Sequence, residues 1–421
     1  MKSVLSTSLS IEEKIVSLGI RWIWLWYFTG LLFLVGSAIA WILFIFLIWR
    51  FSQDQHLKVH WLTIVWCIAT LALLLITVIG HINHDLSTAV LFKSMIGWAK
   101  GWALFGLLML CASLPIRPQI ITQALLCLGK QTVLISPLLL IAALLHLPSS
   151  LYSSPLKFLA NPAFFEIELY GLNASTGLPR WRLFTPWGPA LGLYGNMLFA
   201  FCCQANKQPL RNWGFFAAVL MVLLSQSRMG MFCLVFIPCF CIFLIKLKEL
   251  KYLIAIAILA PVLAACIPII IEIIDQALQQ IHQVRAESSR VRGALERIAL
   301  ERWQNEAPIF GHGIVENGSH YVEYMAIGSH HTWLGLLFIK GIAGFITFAI
   351  ALVSTLLWLT IHYFYSYNSN NKAQFIACRT SLHLILVLCA YTFTENLEIL
   401  AYLHWPIFLF LGLTINRTVN N

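Results

Sequence analysis

The stretch IGSHHTWLGLLFIKGIAG, residues 327–344, sets two adjacent histidines, His330 and His331, at the head of a long apolar run. About 20 predominantly apolar residues cross the hydrocarbon core of a bilayer. The run from 331 to 360 therefore reads as a membrane-spanning helix with a titratable pair at its mouth. Similar runs recur near 60–80, 94–113, 118–147, 187–204, 212–226, 228–247, 252–273, 374–394 and 397–416. Over all 421 residues, 60% are hydrophobic and 10% charged, against about 25% charged in ordinary soluble domains. The expected fold class is all-α: a polytopic integral membrane protein.

The opening block, 20–49, is too long for one upright helix and short for two. Loop charge decides, because Lys and Arg gather in short cytoplasmic loops. A tight hairpin hinged near Gly36-Ser37 puts Arg50/Lys58, Arg117, Lys207/Arg211, Lys246/Lys248/Lys251, Lys372 and Arg417 together on the cytoplasmic side. The expectation is then about twelve spans with both ends inside. This block shows no small-residue cleavage site at the usual distance, so no short cleavable signal peptide is expected. The 11 cysteines lie almost entirely in apolar segments, which argues against a disulfide frame or a thiolate metal site. The net charge of +10 is read as a topology signal, and nucleic-acid binding is not expected.

That topology leaves two long loops, 148–186 and 274–330, on the same outer face, and loops of such length usually carry function. Their basic residues are Arg180, Arg182, Arg285, Arg290, Arg292, Arg297 and Arg302 against a single Lys157. Guanidinium suits bidentate phosphate recognition, whereas Lys acts as a point charge. The segment 289–303 reads as a helix with Val291, Ala294, Leu295, Ile298 and Trp303 on one face and Ser289 as its N-cap. The bland alternative is an amphipathic helix lying on the membrane. Arg292, Arg297 and Arg302 each have a glutamate four residues later, within helical reach. Arg290 has none there and falls in the first turn, a place suited to an anion.

The stretch LPRWRLFTPWGPALG (178–192) holds Arg182 just before a span; Trp181, Trp187 and the arginines also fit an interfacial belt. Arg228 occupies a very short outer turn, where a charge must snorkel or pair. The histidine pair offers a neutral imidazole able to accept a proton near neutral pH, although a lone histidine in a span is more often a packing residue. A zinc site using His312 and His320 is disfavoured, since no ligand pair at i,i+4 and no cysteine accompanies them.

Taken together, the outer-loop residues resemble the bacterial O-antigen ligase and polymerase superfamily of membrane glycosyltransferases. Its pattern is an arginine before a helix, a P-x-x-G-x-G turn, then a histidine followed by leucine and spaced glycines. Here these are Arg290 or Arg292, PIFGHG (308–313), and His330 with Leu334, Gly341 and Gly344. Counting back from the glycines selects His330, with His331 where asparagine usually stands. RLFTPWGPALG resembles the family's arginine leading into a Pro-x-Leu-Gly helix start, which selects Arg182, and LLSQSRMG resembles its Ser-Arg-Gly turn, which selects Arg228. The resemblance covers about 180–345. It divides the chain into N-terminal helices with the first outer loop (1–180), a ligase/polymerase-like core (181–345) and C-terminal helices (346–421).

The resemblance implies a glycan donor linked to undecaprenyl diphosphate, a glycan or lipid-linked acceptor, and chemistry on the periplasmic face of the bacterial inner membrane. In the implied roles Arg182 and Arg290 or Arg292 clamp the diphosphate, Arg228 and His331 assist, and His330 takes the acceptor hydroxyl's proton. A single displacement inverts the anomeric centre, and neither a metal nor a cofactor is called for. Tyr321, Tyr324, Trp303 and Trp333 offer sugar-stacking surfaces, though interfacial anchoring is the simpler role for each. GSHHTWLGLLFIKG and GHGIVENG favour a capsule or exopolysaccharide polymerase over a ligase. The competing class is a lipid-linked glycan flippase or exporter, which asks for polar residues through the depth of the bundle; Lys93, Lys100 and Lys130 keep it open. Glu395 and Glu398, at another short outer turn, are candidates to orient His330 or an arginine.

Overall fold

The computed structural model describes residues 8–53, 59–159, 162–172, 179–206, 208–254, 257–259, 261, 286–369 and 371–417. The expected span at 252–273 lies for the most part outside them, as do Lys2, Lys58, Lys207 and Arg285. Apolar helices running between two ends of one bundle make up the described chain. Six of them are long and apolar enough to cross a membrane: Leu32–Ser52, Trp61–Asn83, Pro118–Leu144, Arg228–Lys246, Thr332–Asn368 and Lys372–Tyr391. A seventh span forms if Thr88–Lys100 and Trp102–Cys111, bent by 40° at Gly101, count as one. Gly188–Gln204, Pro209–Ser225 and Ala401–Arg417 have 17 residues each, just short of a full crossing. The chain is therefore a multi-pass helical protein, and the described residues leave the number of spans between these limits and the expected twelve.

The opening block does fold back on itself, but not at Gly36-Ser37. Ile11–Arg21 and Ile23–Phe28 run one way and Leu32–Ser52 returns, with the turn at Gly30, φ 71°. Glycine just past a helix end takes the left-handed conformation without a Cβ penalty. Arg50 meets Glu12 across the returning pair, and Arg117 meets Glu13 at 2.6 Å. Gly36 instead lies inside a continuous helix, where any Cβ would strike the backbone of Tyr402. Lipid supplies no hydrophobic drive between helices, so close approach of small residues takes its place. Gly129 against Gly214 and Gly195 against Val222 and Ala218 repeat the device.

One end of the bundle carries the turn at Gly30, the long loop 145–187, the Ser225–Arg228 turn, the helix Ala286–Glu306 and the 392–400 connection. Two short antiparallel pairs, Ser150–Ser153 with Glu166–Glu168 and Gly171–Leu172 with Pro179–Arg180, order the long loop. The opposite end gathers Lys14, Arg50, Arg117, Arg211, Lys246, Lys248, Lys372 and Arg417. Ala286–Glu306 begins three residues before the expected cap, so Ser289 lies within it and Arg290 stands beyond the first turn. Its stripe of Val291, Leu295 and Ala299 does not lie on a membrane surface; it builds a small second core with Val322, Ile327, Phe338 and Ile339.

Candidate functional site

The helix Thr332–Asn368 would be about 55 Å long at 1.5 Å per residue, far more than a bilayer needs. It is broken at Gly341, whose φ of 61° is non-helical. A break frees backbone groups that cannot stay unpaired in hydrocarbon. The PIFGHG turn answers them: Ile342 N donates to Pro308 O at 3.0 Å and Ala343 N to Ile309 O at 3.1 Å. In return His312 N and Gly313 N donate to the carbonyls of Phe338 and Ile339, each at 2.9 Å. A Cβ on Gly341 would land on the Ile309 carbonyl, and one on Gly311 on the backbone of Ile339 and Lys340. The spaced glycines and the proline turn of the sequence are thus two halves of one backbone joint.

The residues that head this helix are pinned from the other side. Thr332 N donates to Thr392 O at 2.9 Å, and Thr332 Oγ1 donates to Glu395 O at 2.6 Å. Trp333 Nε1 donates to Thr392 Oγ1 at 2.9 Å. Trp187, from the long loop, donates its Nε1 to Glu395 Oε2 at 2.7 Å. Gly328, φ 75°, folds back against Gly335, where a Cβ would sit 2.6 Å from Gly335 Cα. His330 is therefore held on a backbone fixed both before and after it.

His330 opens onto a cavity of about 940 Å³. Lys93, Trp98, Trp187, Lys340 and Glu398 line it too, with Tyr324 and Phe164 at its walls. The imidazole has no hydrogen-bond partner among the described residues. Burial, with the positive charge of Arg292 nearby, pushes its pKa down to about 4, so the ring is neutral at pH 7. Burial also lifts Glu395 to about 7, against the pull of Arg292, Trp187 and Arg180. Glu398 is lifted to about 7 by burial, opposed by Lys340. Lys340, one residue before the break, donates to Leu73 O at 3.3 Å and contacts Thr77 Oγ1. Two lysines, the Glu398 carboxyl and a neutral imidazole thus line one hollow, with Glu395 behind it on Trp187, an arrangement open to proton transfer beside an anionic group.

The sequence-derived candidates divide. Arg292 lies in the electrostatic field of both His330 and Glu395. Arg290 is turned outward, Nη1 donating to Tyr321 O at 3.0 Å. Arg182 is ion-paired with Glu168, Nε to Oε2 at 2.6 Å, and donates to Pro186 O at 2.8 Å; it borders a separate small recess with Tyr27 and Tyr402. Arg228 is exposed at the first position of its helix. His331 caps the broken helix, its Nδ1 accepting from Leu334 N at 3.4 Å. Of the paired arginines, Arg302 holds Glu306 and also Glu316. Lys340 is not singled out by the sequence, and Arg180 only as one of the outer-loop arginines. Arg180, bonded through Nε to Ser225 O at 3.2 Å, acts on Glu395. A charge inside an apolar run was the available signal for Lys340.

Residues 213–349 match the family model described as O-antigen ligase. The match, over a minority of the chain, supports a relationship to the O-antigen ligase/polymerase superfamily. The matched residues run from the helix Pro209–Ser225 through the Gly341 joint, and so take in Arg228, Arg290, Arg292, His330 and Lys340 but neither Arg180 nor Glu395. No curated protein matches the chain. The matched region supports an O-antigen ligase/polymerase-type membrane glycosyltransferase, a family that implies lipid-linked glycan substrates.

Proposed function

We propose that the chain transfers glycan from undecaprenyl diphosphate to a sugar hydroxyl on the periplasmic face of the inner membrane, extending a surface polysaccharide. The observation that carries this reading is His330 on the wall of the large cavity, neutral and without a hydrogen-bond partner among the described residues, beside cations from separate segments. The acceptor oxygen attacks the anomeric carbon as its proton passes to His330. The carbon–oxygen bond to the diphosphate breaks on the opposite side, which inverts the centre, and the bonding pair leaves with the phosphate. Arg292, Lys93 and Lys340 balance the charge growing on that leaving group, most effectively where water is scarce. In this reading Arg182 holds the outer loop through Glu168, Arg290 meets the donor further out, and Arg228 and His331 contact substrate only at the edges. The basic end opposite His330 supports a cytoplasmic assignment for that end, which turns the cavity outward. Polymerisation is favoured over ligation on the GSHHTWLGLLFIKG and GHGIVENG stretches.

Purified protein given carrier-linked donor tests the base. His330→Ala is expected to lose transfer by roughly 10²- to 10⁴-fold while keeping the melting temperature, because the ring makes no hydrogen bond to lose. A variant that transfers at the full rate makes His330 a packing residue. Deleting the gene tests the acceptor: shortened surface glycan indicates a polymerase, and full-length glycan stranded on its carrier indicates a ligase.

A further inference from the structure

At the end of the bundle opposite His330 lies a second recess, about 240 Å³, between the helices Gly188–Gln204, Pro209–Ser225, Arg228–Lys246 and Lys372–Tyr391. Its polar lining is Arg211, Arg379, Thr380 and His383; Phe215, Pro238 and Ile242 supply apolar walls. Arg379 Nη2 donates to the Cys203 carbonyl at 2.9 Å, and the Arg211 guanidinium lies 5.2 Å from the Phe215 ring centroid. No carboxylate lines the recess, and neither arginine forms an ion pair among the described residues.

Three buried polar atoms at this spot have no hydrogen-bond partner: Arg211 Nε, Thr380 Oγ1 and His383 Nε2. Thr380 is 2% exposed and His383 4%. Two half-buried guanidiniums side by side without a counter-charge are unfavourable, and each orphaned buried polar atom adds its own desolvation penalty. Arg211 also stands in the first turn of Pro209–Ser225, at the positive end of the helix dipole, where a cation is disfavoured and an anion favoured. All of these costs are removed together by one tetrahedral oxyanion.

We propose that Arg211, Arg379, Thr380 and His383 form a phosphate-binding site, remote from the transfer cavity, that takes the phosphate ester of a phospholipid headgroup or free phosphate. Guanidinium pairs match phosphate oxygens, the threonine hydroxyl and the imidazole supply further donors, and the apolar walls accept the start of an acyl-glycerol body. The exposed Ile242, 60% accessible, gives the recess a rim towards lipid.

The test uses the full chain purified in a sugar-headgroup detergent. Its melting temperature is followed on adding phosphatidylglycerol, diacylglycerol or inorganic phosphate, and retained phospholipid is counted by native mass spectrometry. Phosphatidylglycerol is expected to raise Tm, diacylglycerol to leave it unchanged, and Arg211→Gln with Arg379→Gln to weaken retention about tenfold or more. The double variant, relieved of two unpaired cations, is expected to match or exceed the wild-type Tm before lipid is added. A rise with inorganic phosphate equal to that with the lipid assigns the free ion as occupant; a rise with the lipid alone assigns the headgroup. Equal response to diacylglycerol, no response to either phosphate, or full retention by the double variant overturns the site. If the double variant does not fold, Thr380→Val and the wild-type ligand series carry the same decision.

Discussion

Two cationic hollows face opposite ends of this bundle, and they are built differently. The His330 cavity is lined by lysines with two carboxyls among them, Glu323 and Glu398, and a third, Glu395, lies behind on Trp187. It sits where two helices are broken, at Gly101 and at Gly341. The Arg211–Arg379 recess holds guanidiniums with no carboxylate among its lining, and no left-handed residue there either. Charge that is compensated within the protein can be rebalanced as a reaction proceeds. Charge left uncompensated waits for a ligand that stays. The contrast separates a site shaped for chemistry from one shaped for occupancy.

The largest effect should come from the joint that only the first hollow possesses. Gly341→Ala forces a Cβ onto the Ile309 carbonyl at a backbone angle that disfavours any side chain. Strain of this kind adds to the loss of the hydrogen bonds from Ile342 and Ala343, so loss of several kcal/mol is expected. Gly97→Ala, on the same cavity but with nothing within 4 Å of the added carbon, should be neutral or gain up to about 1 kcal/mol from helix propensity. Melting curves of the two variants in detergent compare them directly. Equal stability would mean that the break is not a fixed joint.

The pH dependence follows next. The base must be unprotonated, so activity is present above its pKa and lost as pH falls through it. With His330 lowered to about 4, kcat/KM for the free enzyme should hold from pH 8 to near pH 5 and decline only below. A decline centred near pH 7 points instead to Glu395 or Glu398, both raised to about 7, and would move the base from the imidazole to a carboxyl.

How much of this was legible in the chain depends on whether the signal was local. The apolar runs announced the bundle, and the P-x-x-G-x-G and spaced-glycine stretches announced a feature around His330, because backbone angles are a local demand. That these two stretches hydrogen-bond to each other was not visible, since the pairing joins residues 26 to 34 positions apart across a change of direction. The hairpin at the start was foreseen but its turn was misplaced. Gly36 and Gly30 look alike in sequence, and only packing against Tyr402 distinguishes a contact glycine from a hinge. Arginines were the least legible. Spacing within 289–303 offered Arg292, Arg297 and Arg302 a glutamate four residues on, yet Arg292 acts on His330 and Glu395 while Arg302 collects Glu306 and also Glu316.

Arg182 sharpens that point. As a diphosphate clamp it would fail alone; as the partner of Glu168 it should fail together with it. Arg182→Ala and Glu168→Gln are expected to lower stability and transfer by matching amounts, because each leaves the other group half-buried and unpaired. A much greater loss of transfer in Arg182→Ala, at unchanged melting temperature, would return this arginine to the substrate.

The smallest effect is expected at Arg302, the guanidinium of the His330 end with the fullest set of partners. It reaches Glu306 at 2.8 Å and Glu316 at 2.6 Å, and lies 5.1 Å from the Phe338 ring centroid. Its side chain is nevertheless 30% exposed and Glu306 45%. Water and salt screen such pairs, which places Arg302→Gln within about 1 kcal/mol of the wild type. Transfer should be unaffected, since no Arg302 atom borders the cavity. The loss should shrink further at high ionic strength, whereas ligand-dependent stabilisation through Arg211 and Arg379, beside the buried Thr380 and His383, should persist. Measuring both variants across a salt series ranks the two ends by how far each keeps its charges from solvent. A collapse of both with salt would show that the opposite recess is as wet as the outer surface, and the distinction between the two hollows would then rest on the helix breaks alone.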